Sequence, residues 1–167
     1  MKSRLLAIML FSLLTNLLSA ELELGADAPD VSVTDQSGTA VDLGKTLNKG
    51  TALVFFYPKA LTSGCTKQVC SIRDSWDQIK DRGITVYGVS SDTVELQKEF
   101  SDRYELPFQL LADRDNVVSK AFGKGRWSRQ AYLFVDGKLV WRDLSASTRD
   151  QAEDVLEALD ALQTSAN

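Results

Sequence analysis

The sequence predicts one α/β layered domain: a central mixed sheet flanked by helices, with a β-hairpin extension at its N-terminal end. Three observations carry the prediction. Thr51 to Tyr57 (TALVFFY) is a continuous apolar run of strand length, the pattern of a central strand buried on both faces. Ile84 to Val89 is a second such strand, reached through a helical stretch that Gly83 stops. Asp136-Gly137 lies between two apolar runs, the residue pair that a tight hairpin turn favours.

The elements follow in order. Val31 and Val33, then Val41 and Leu43, flank Gln36-Ser37-Gly38 and read as the N-terminal hairpin. After the strand at 51–57, a helix is expected from about Cys65 to Asp81. Thr93 to Tyr104 reads as the next helix, with Pro107 barring its continuation. Leu110-Leu111 is a short strand and Asn116 to Phe122 a short helix. Ala131 to Val135 and Leu139 to Trp141 pair around Asp136-Gly137. Thr148 to Leu162 is a terminal helix with Ala152, Val155, Leu156, Leu159 and Leu162 on one face. This order matches a thioredoxin-like core with an N-terminal extension. It places Cys65 where the central strand gives way to a helix, at the sheet end where open α/β folds bind ligands.

The first twenty residues read as a secretory signal. Lys2 and Arg4 precede an apolar core, Leu5 to Leu14, and Leu18-Ser19-Ala20 ends on a small residue before Glu21. Thr15 and Asn16 cut the apolar run short of the roughly 20 residues of a spanning helix. Cleavage after Ala20 is expected, leaving a domain over 21–167 in an exported, periplasmic setting without stable membrane insertion; the alternative is an uncleaved membrane anchor. No cysteine follows the apolar core to carry a lipid, and no Asn-x-Ser/Thr sequon occurs. The net charge of −4 becomes two units more negative without Lys2 and Arg4, which argues against binding nucleic acid through its phosphates. No phosphate-binding Gly-x-x-x-x-Gly-Lys occurs, and Gly123-Lys124-Gly125 lacks the context of a dinucleotide loop. With two cysteines and no histidine, neither a metal site nor a cofactor is expected.

The chemistry concentrates in FYPKALTSGCTKQVC, which holds Pro58, Thr62 and both cysteines, Cys65 and Cys70. Without histidine as a base, a reactive thiolate has to be supported by backbone dipoles, hydroxyls and arginine. Cys65 falls in the first turn of a helix, where unpaired N–H groups favour negative charge. Thr62 offers a hydroxyl, and Pro58 shapes and shields the turn. Read singly, Pro58 is a strand terminator, Thr62 a loop or capping residue and Arg129 a solvated charge; their joint spacing gives them weight. A structural disulfide is the plain reading of two cysteines in an exported chain. In an intact helix, however, residues five apart have Cα atoms about 8.7 Å apart, whereas a disulfide needs less than about 7 Å. A bridge here either requires a non-helical segment or unwinds the first turns, which suits a redox switch better than a staple. Trp76, Trp127 and Trp141 read as packing residues, with Trp127, near Arg129, also placed to line a pocket.

The spacing Pro-x-x-x-Thr-x-x-Cys resembles the active-site signature of the peroxiredoxins, and FYPKALTSGCTKQVCSIRD is similar to the Q-type, or bacterioferritin-comigratory, subfamily. The similarity continues through VYGVSSDTVELQKEF and YELPFQLLADRD. In RQAYLFVDGK it reaches the segment that opens on the family's catalytic arginine. Gly25-Ala26-Asp27-Ala28-Pro29-Asp30 resembles the family's N-terminal opening. The resemblance implies a thiol peroxidase for hydrogen peroxide and organic hydroperoxides with antioxidant function. Cys65 would be peroxidatic, Cys70 resolving, and Thr62, Arg129 and Pro58 would complete the site. A Cys65–Cys70 disulfide would be recycled by a thioredoxin-like dithiol, in a monomer or weak dimer. Two departures fall in the access loop, Ala60-Leu61 and Ser63, and a one-residue gap before Asp136 leaves Arg126 as a rival to Arg129. A general thiol–disulfide oxidoreductase and an inert disulfide-bonded domain are the competing readings. The first usually carries Cys-x-x-Cys, and the second should resist mild dithiols and ignore peroxide.

Overall fold

The computed structural model describes residues 21–125 and 127–165; the expected signal segment and Arg126 lie outside the described residues. Seven strands form one mixed sheet in the order β2-β1-β5-β4-β3-β6-β7. They are β1 (Ser32–Asp35), β2 (Ala40–Asp42), β3 (Thr51–Phe56), β4 (Ile84–Ser90), β5 (Gln109–Ala112), β6 (Gln130–Val135) and β7 (Lys138–Asp143). Strands β3, β4 and β5 run parallel, while β6 pairs antiparallel with β3, and β7 with β6. The β1–β2 hairpin extends the sheet through an antiparallel pairing with β5. The expected mixed α/β sheet with an N-terminal hairpin is therefore present.

The helices among the described residues are α1 (Leu43–Leu47), α2 (Ser63–Asp74), α3 (Trp76–Asp81), α4 (Val94–Tyr104), α5 (Val117–Ala121) and α6 (Gln151–Ser165). The apolar run of β3 is buried on both faces. Leu53, Phe55 and Tyr57 join a cluster with Cys65, Val69 and Ile72 of α2, Phe100 of α4, and Val155 and Leu156 of α6. Ala52, Val54 and Phe56 point the other way, into Leu43, Leu47, Phe122, Tyr132 and Phe134. Side chains alternate across a strand, so one run of residues feeds two cores. Each large apolar side chain removed from water in this way contributes about 1.5–3 kcal/mol. Asp136 and Gly137 both have positive φ, as the tight turn between β6 and β7 requires.

Beyond shifts of a few residues at element ends, the structure departs from expectation in the following places. The helix expected from Cys65 to Asp81 is two helices: Ser75, with φ −103° and ψ 16°, interrupts the helical backbone between α2 and α3. Serine favours such breaks because it competes poorly for the helical state. The last helix begins at Gln151 rather than Thr148, because the Ser147 hydroxyl accepts the N–H groups of Arg149 and Asp150 and holds 147–150 in a turn. Helix α1 was not foreseen. Leu43 starts it rather than extending the hairpin, with the Asp42 carboxylate accepting the Lys45 N–H as an N-cap. Five residues are too few to display a helical period. Trp76 and Trp141 pack against the core as expected.

Candidate active site

Strand β3 ends beneath a loop, 57–62, that turns the chain into α2. Asp92 holds this loop: its carboxylate accepts the Ala60 N–H at 2.7 Å and the Ser90 hydroxyl at 2.7 Å. Leu61 has φ +62°, a left-handed conformation uncommon for a leucine. Strain of this kind persists only where the surroundings impose it, and Leu61 packs on the core beside Ala60. Below the loop the buried Tyr57 hydroxyl donates to Gln97, which in turn donates to Ser90 at 2.9 Å and to the Leu111 carbonyl at 2.8 Å. Burial pushes the Tyr57 phenol well above its ordinary range, so it stays a neutral donor.

Thr62 occupies the N-cap position of α2 but does not cap it. Its hydroxyl donates instead to the Lys59 carbonyl at 2.9 Å, on the exposed side of the loop. The leading N–H groups of α2, which have no intrahelical acceptor, are thus left for negative charge near Cys65. Pro58 is half-buried and lines a polar cleft of 340 Å³ with Lys59, Asp92, Arg114, Asn116 and Trp127. Trp127 is 69% exposed, so it lines this cleft rather than packing in the core.

Cys65 is fully buried in the first turn of α2, and its thiol is free. Arg129, just before β6, donates from Nη1 to the Cys65 sulfur at 3.2 Å and to Gln68 Oε1 at 2.9 Å. The register explains the meeting: β6 is antiparallel to β3 with Gln130 opposite Phe56, so the residue before β6 lies beside the residue after β3. The Ala146 N–H donates to the Arg129 carbonyl at 3.0 Å and fixes that backbone. Gly64 supplies room. A Cβ there would come within 2.9 Å of Arg129 Nη2, so the guanidinium lies where any other side chain would sit.

Cys70 is half-buried one turn and a half further along α2, and its thiol is also free. Burial pushes the Cys70 thiol up, with Arg73 opposing the shift and Asp74 reinforcing it. Because α2 is continuous from Ser63 to Asp74, the two sulfurs cannot bond without local unwinding.

Sequence reasoning missed Gln68. It is fully buried, and its Nε2 donates to Gln151 Oε1 of α6 at 2.9 Å and to the Phe56 carbonyl at 3.4 Å. The available signal was a polar residue three positions after Cys65, next to Val69 on the helix face that Ile72 continues. Gln151 gave no signal; it too is fully buried. Among the described residues, two buried side-chain polar atoms lack a hydrogen-bond partner, Thr66 Oγ1 and Gln151 Nε2. Each such atom costs about 1–3 kcal/mol. Both belong to the helices that carry this site.

Comparison with known proteins agrees with this geometry. Residues 24–142 match the model of the AhpC/TSA family. The chain belongs to that family. Among AhpC/TSA relatives, Peroxiredoxin Bcp of Escherichia coli is 39% identical over 112 residues, covering 67% of this chain and 70% of that protein. The chloroplastic Peroxiredoxin Q of Oryza sativa subsp. japonica is 44% identical over 99 residues, 59% of this chain. The match spans 45% of the length of the rice protein. The crystal structure of Peroxidoxin BcpB from Mycobacterium tuberculosis superposes with a TM-score of 0.78 at 29% identity, over 84% of this chain and 98% of that one. The sheet and its helices are those of thioredoxin-fold members of the AhpC/TSA family.

Proposed function

We propose that this chain is a thiol peroxidase that reduces hydrogen peroxide and organic hydroperoxides and so protects against oxidative damage. One observation carries the reading: the buried Cys65 sulfur lies at the start of α2, 3.2 Å from the Arg129 guanidinium. A cation that keeps its charge there stabilises the thiolate, and its remaining donors suit a peroxide oxygen. The Cys65 thiolate attacks one oxygen of the O–O bond. The bond breaks, the other oxygen leaves as hydroxide or alkoxide and takes a proton, and Cys65 becomes a sulfenic acid. Arg129 and the leading N–H groups of α2 hold the oxygens, Thr62 orders the loop, and Pro58 shields it. The first turns of α2 then unwind, the Cys70 sulfur attacks, water leaves, and a Cys65–Cys70 disulfide forms. A thioredoxin-like dithiol restores both thiols by exchange.

The domain acts over residues 21–167, as a monomer or weak dimer. The charge and apolar pattern of residues 1–20 support export with cleavage after Ala20. Among the described residues no helix is long and apolar enough to cross a membrane.

Stopped-flow oxidation with hydrogen peroxide and an alkyl hydroperoxide, followed by mass spectrometry of the trapped intermediate, tests the reading. Cys65→Ser should abolish turnover. Steady-state turnover in that variant, or two thiols that survive a stoichiometric peroxide pulse, sinks the proposal.

A further inference from the structure

Arg129, Gln68 and Gln151 form a hydrogen-bonded chain with only one consistent direction. A guanidinium is donor-only, so the atom facing Arg129 Nη1 has to be the Gln68 carbonyl oxygen. The Gln68 amide nitrogen then faces α6, where it requires an acceptor, and Gln151 Oε1 supplies it. This leaves Gln151 Nε2 buried without a partner. The chain also crosses the boundary that must open. Gln68 lies on α2 between the two cysteines, whereas Gln151 opens α6. A second tie runs the same way, from the Ala152 N–H to Ser71 Oγ at 3.2 Å. The other unpartnered buried atom, Thr66 Oγ1, sits in the first turns of α2. The closed helix is therefore held from α6, with one uncompensated polar atom in its own first turns, Thr66 Oγ1, and one on the α6 side of the tie, Gln151 Nε2.

We propose that Gln151 is a positioning residue for this site. It aims the Gln68 carbonyl at Arg129, and thereby Arg129 at Cys65, and it is the catch that releases before Cys70 reaches Cys65. This rests on the peroxidase reading and adds a division of labour to it: one buried amide speeds the peroxide step and slows the disulfide step.

The test uses the reduced full chain, rapid mixing with hydrogen peroxide, and mass spectrometry that separates sulfenic, disulfide and sulfinic forms. In Gln151→Met, close in volume and unable to hold the Gln68 amide, sulfenic acid formation slows about five- to tenfold. Disulfide formation accelerates by a similar factor, and more peroxide is needed to reach the sulfinic acid. Gln151→Glu, which keeps an acceptor oxygen for the Gln68 amide, should recover part of the loss in the peroxide step that Gln151→Met shows, and a Glu variant no faster in that step than the Met variant counts against the inference. An unchanged ratio of the two rates in Gln151→Met, or a faster peroxide step, overturns the inference. Should that variant fail to fold, native-state hydrogen exchange on the unaltered protein decides. Amides of residues 66–70 and the Ala152 amide should open together, and α2 opening while Ala152 stays protected overturns the inference. An unaltered protein whose Cys65 ignores peroxide sinks the peroxidase reading itself; reaction with peroxide at an unchanged rate ratio sinks this inference alone.

Discussion

The guanidinium of Arg129 lies 3.2 Å from the sulfur of Cys65, across 64 residues of chain. On the proposed peroxidase reading, removing it takes away the positive charge that faces the Cys65 sulfur and the departing oxygen. Arg129→Ala should slow sulfenic acid formation by about 10²–10³-fold. Arg129→Lys keeps the charge but loses the rigid planar group that sets Nη1 against both Cys65 and Gln68 with Nη2 beside Gly64, and about a tenfold loss or more is expected. Stopped-flow oxidation measures both, and a Lys variant as fast as the parent would remove geometry from the argument.

Gly64 separates stability from activity. An alanine there meets the end of Arg129 rather than backbone, so the chain tolerates it, and thermal stability should change by less than about 0.5 kcal/mol. The guanidinium must move, however, and a misplacement near 1 Å costs up to about a hundredfold in rate. Gly64→Ala should therefore keep its melting temperature and lose at least about tenfold in the peroxide step. Equal loss of both, or of neither, contradicts the assigned position of Arg129.

On the proposed mechanism, Cys70 should make the disulfide step pH-dependent. Burial raises its thiol in the closed protein. A group raised in the folded state contributes stability that is full below its unfolded value and lost as pH rises through the folded value. Alkaline pH therefore loosens the closed helix and also ionises the attacking thiol. Disulfide formation, followed after a single peroxide pulse, should accelerate from neutral to alkaline pH. Cys70→Ser should consume one equivalent and stop at the sulfenic acid. A flat profile for the disulfide step argues against Cys70 as the attacking group.

Asp154 lies in the open groove between β7 and α6. Its carboxyl is pushed up by burial first, then by Asp143, Asp150, Glu157 and Glu153. Its raised value helps the folded state only below the ordinary carboxylate range, and that help is lost as pH rises through the raised value. At neutral pH the charge works against folding, and Asp154→Asn should raise the melting temperature by about 2 °C. High salt should shrink the gain, because it screens the neighbouring carboxylates. A lower melting temperature for the variant at neutral pH would show that Asp154 stabilises the groove instead.

Much of this protein is legible along the chain. TALVFFY announces a strand buried on both faces, Asp136-Gly137 a hairpin, and the spacing of Pro58, Thr62, Cys65 and Cys70 a candidate site at a strand-to-helix junction. Local signals of this kind survive because backbone period, turn residues and helix starts are set by neighbours in sequence. The break at Ser75, the delayed start at Gln151 and the short α1 were not readable. Each depends on one or two side-chain-to-backbone bonds or on packing that leaves no period.

The sequence by itself determined the positions of the two cysteines at a strand-to-helix junction, the absence of a histidine base, and a separation of the two thiols that an intact helix cannot bridge. Only the tertiary structure decided which groups meet that sulfur. The antiparallel register of β3 and β6 carries Arg129 to it, the bare Cα of Gly64 leaves space for the guanidinium, and Gln151 reaches in from the last helix to orient Gln68. Such partners lie tens of residues away and share no local pattern with Cys65. They are specified by strand pairing and core packing, which act through space rather than along the chain.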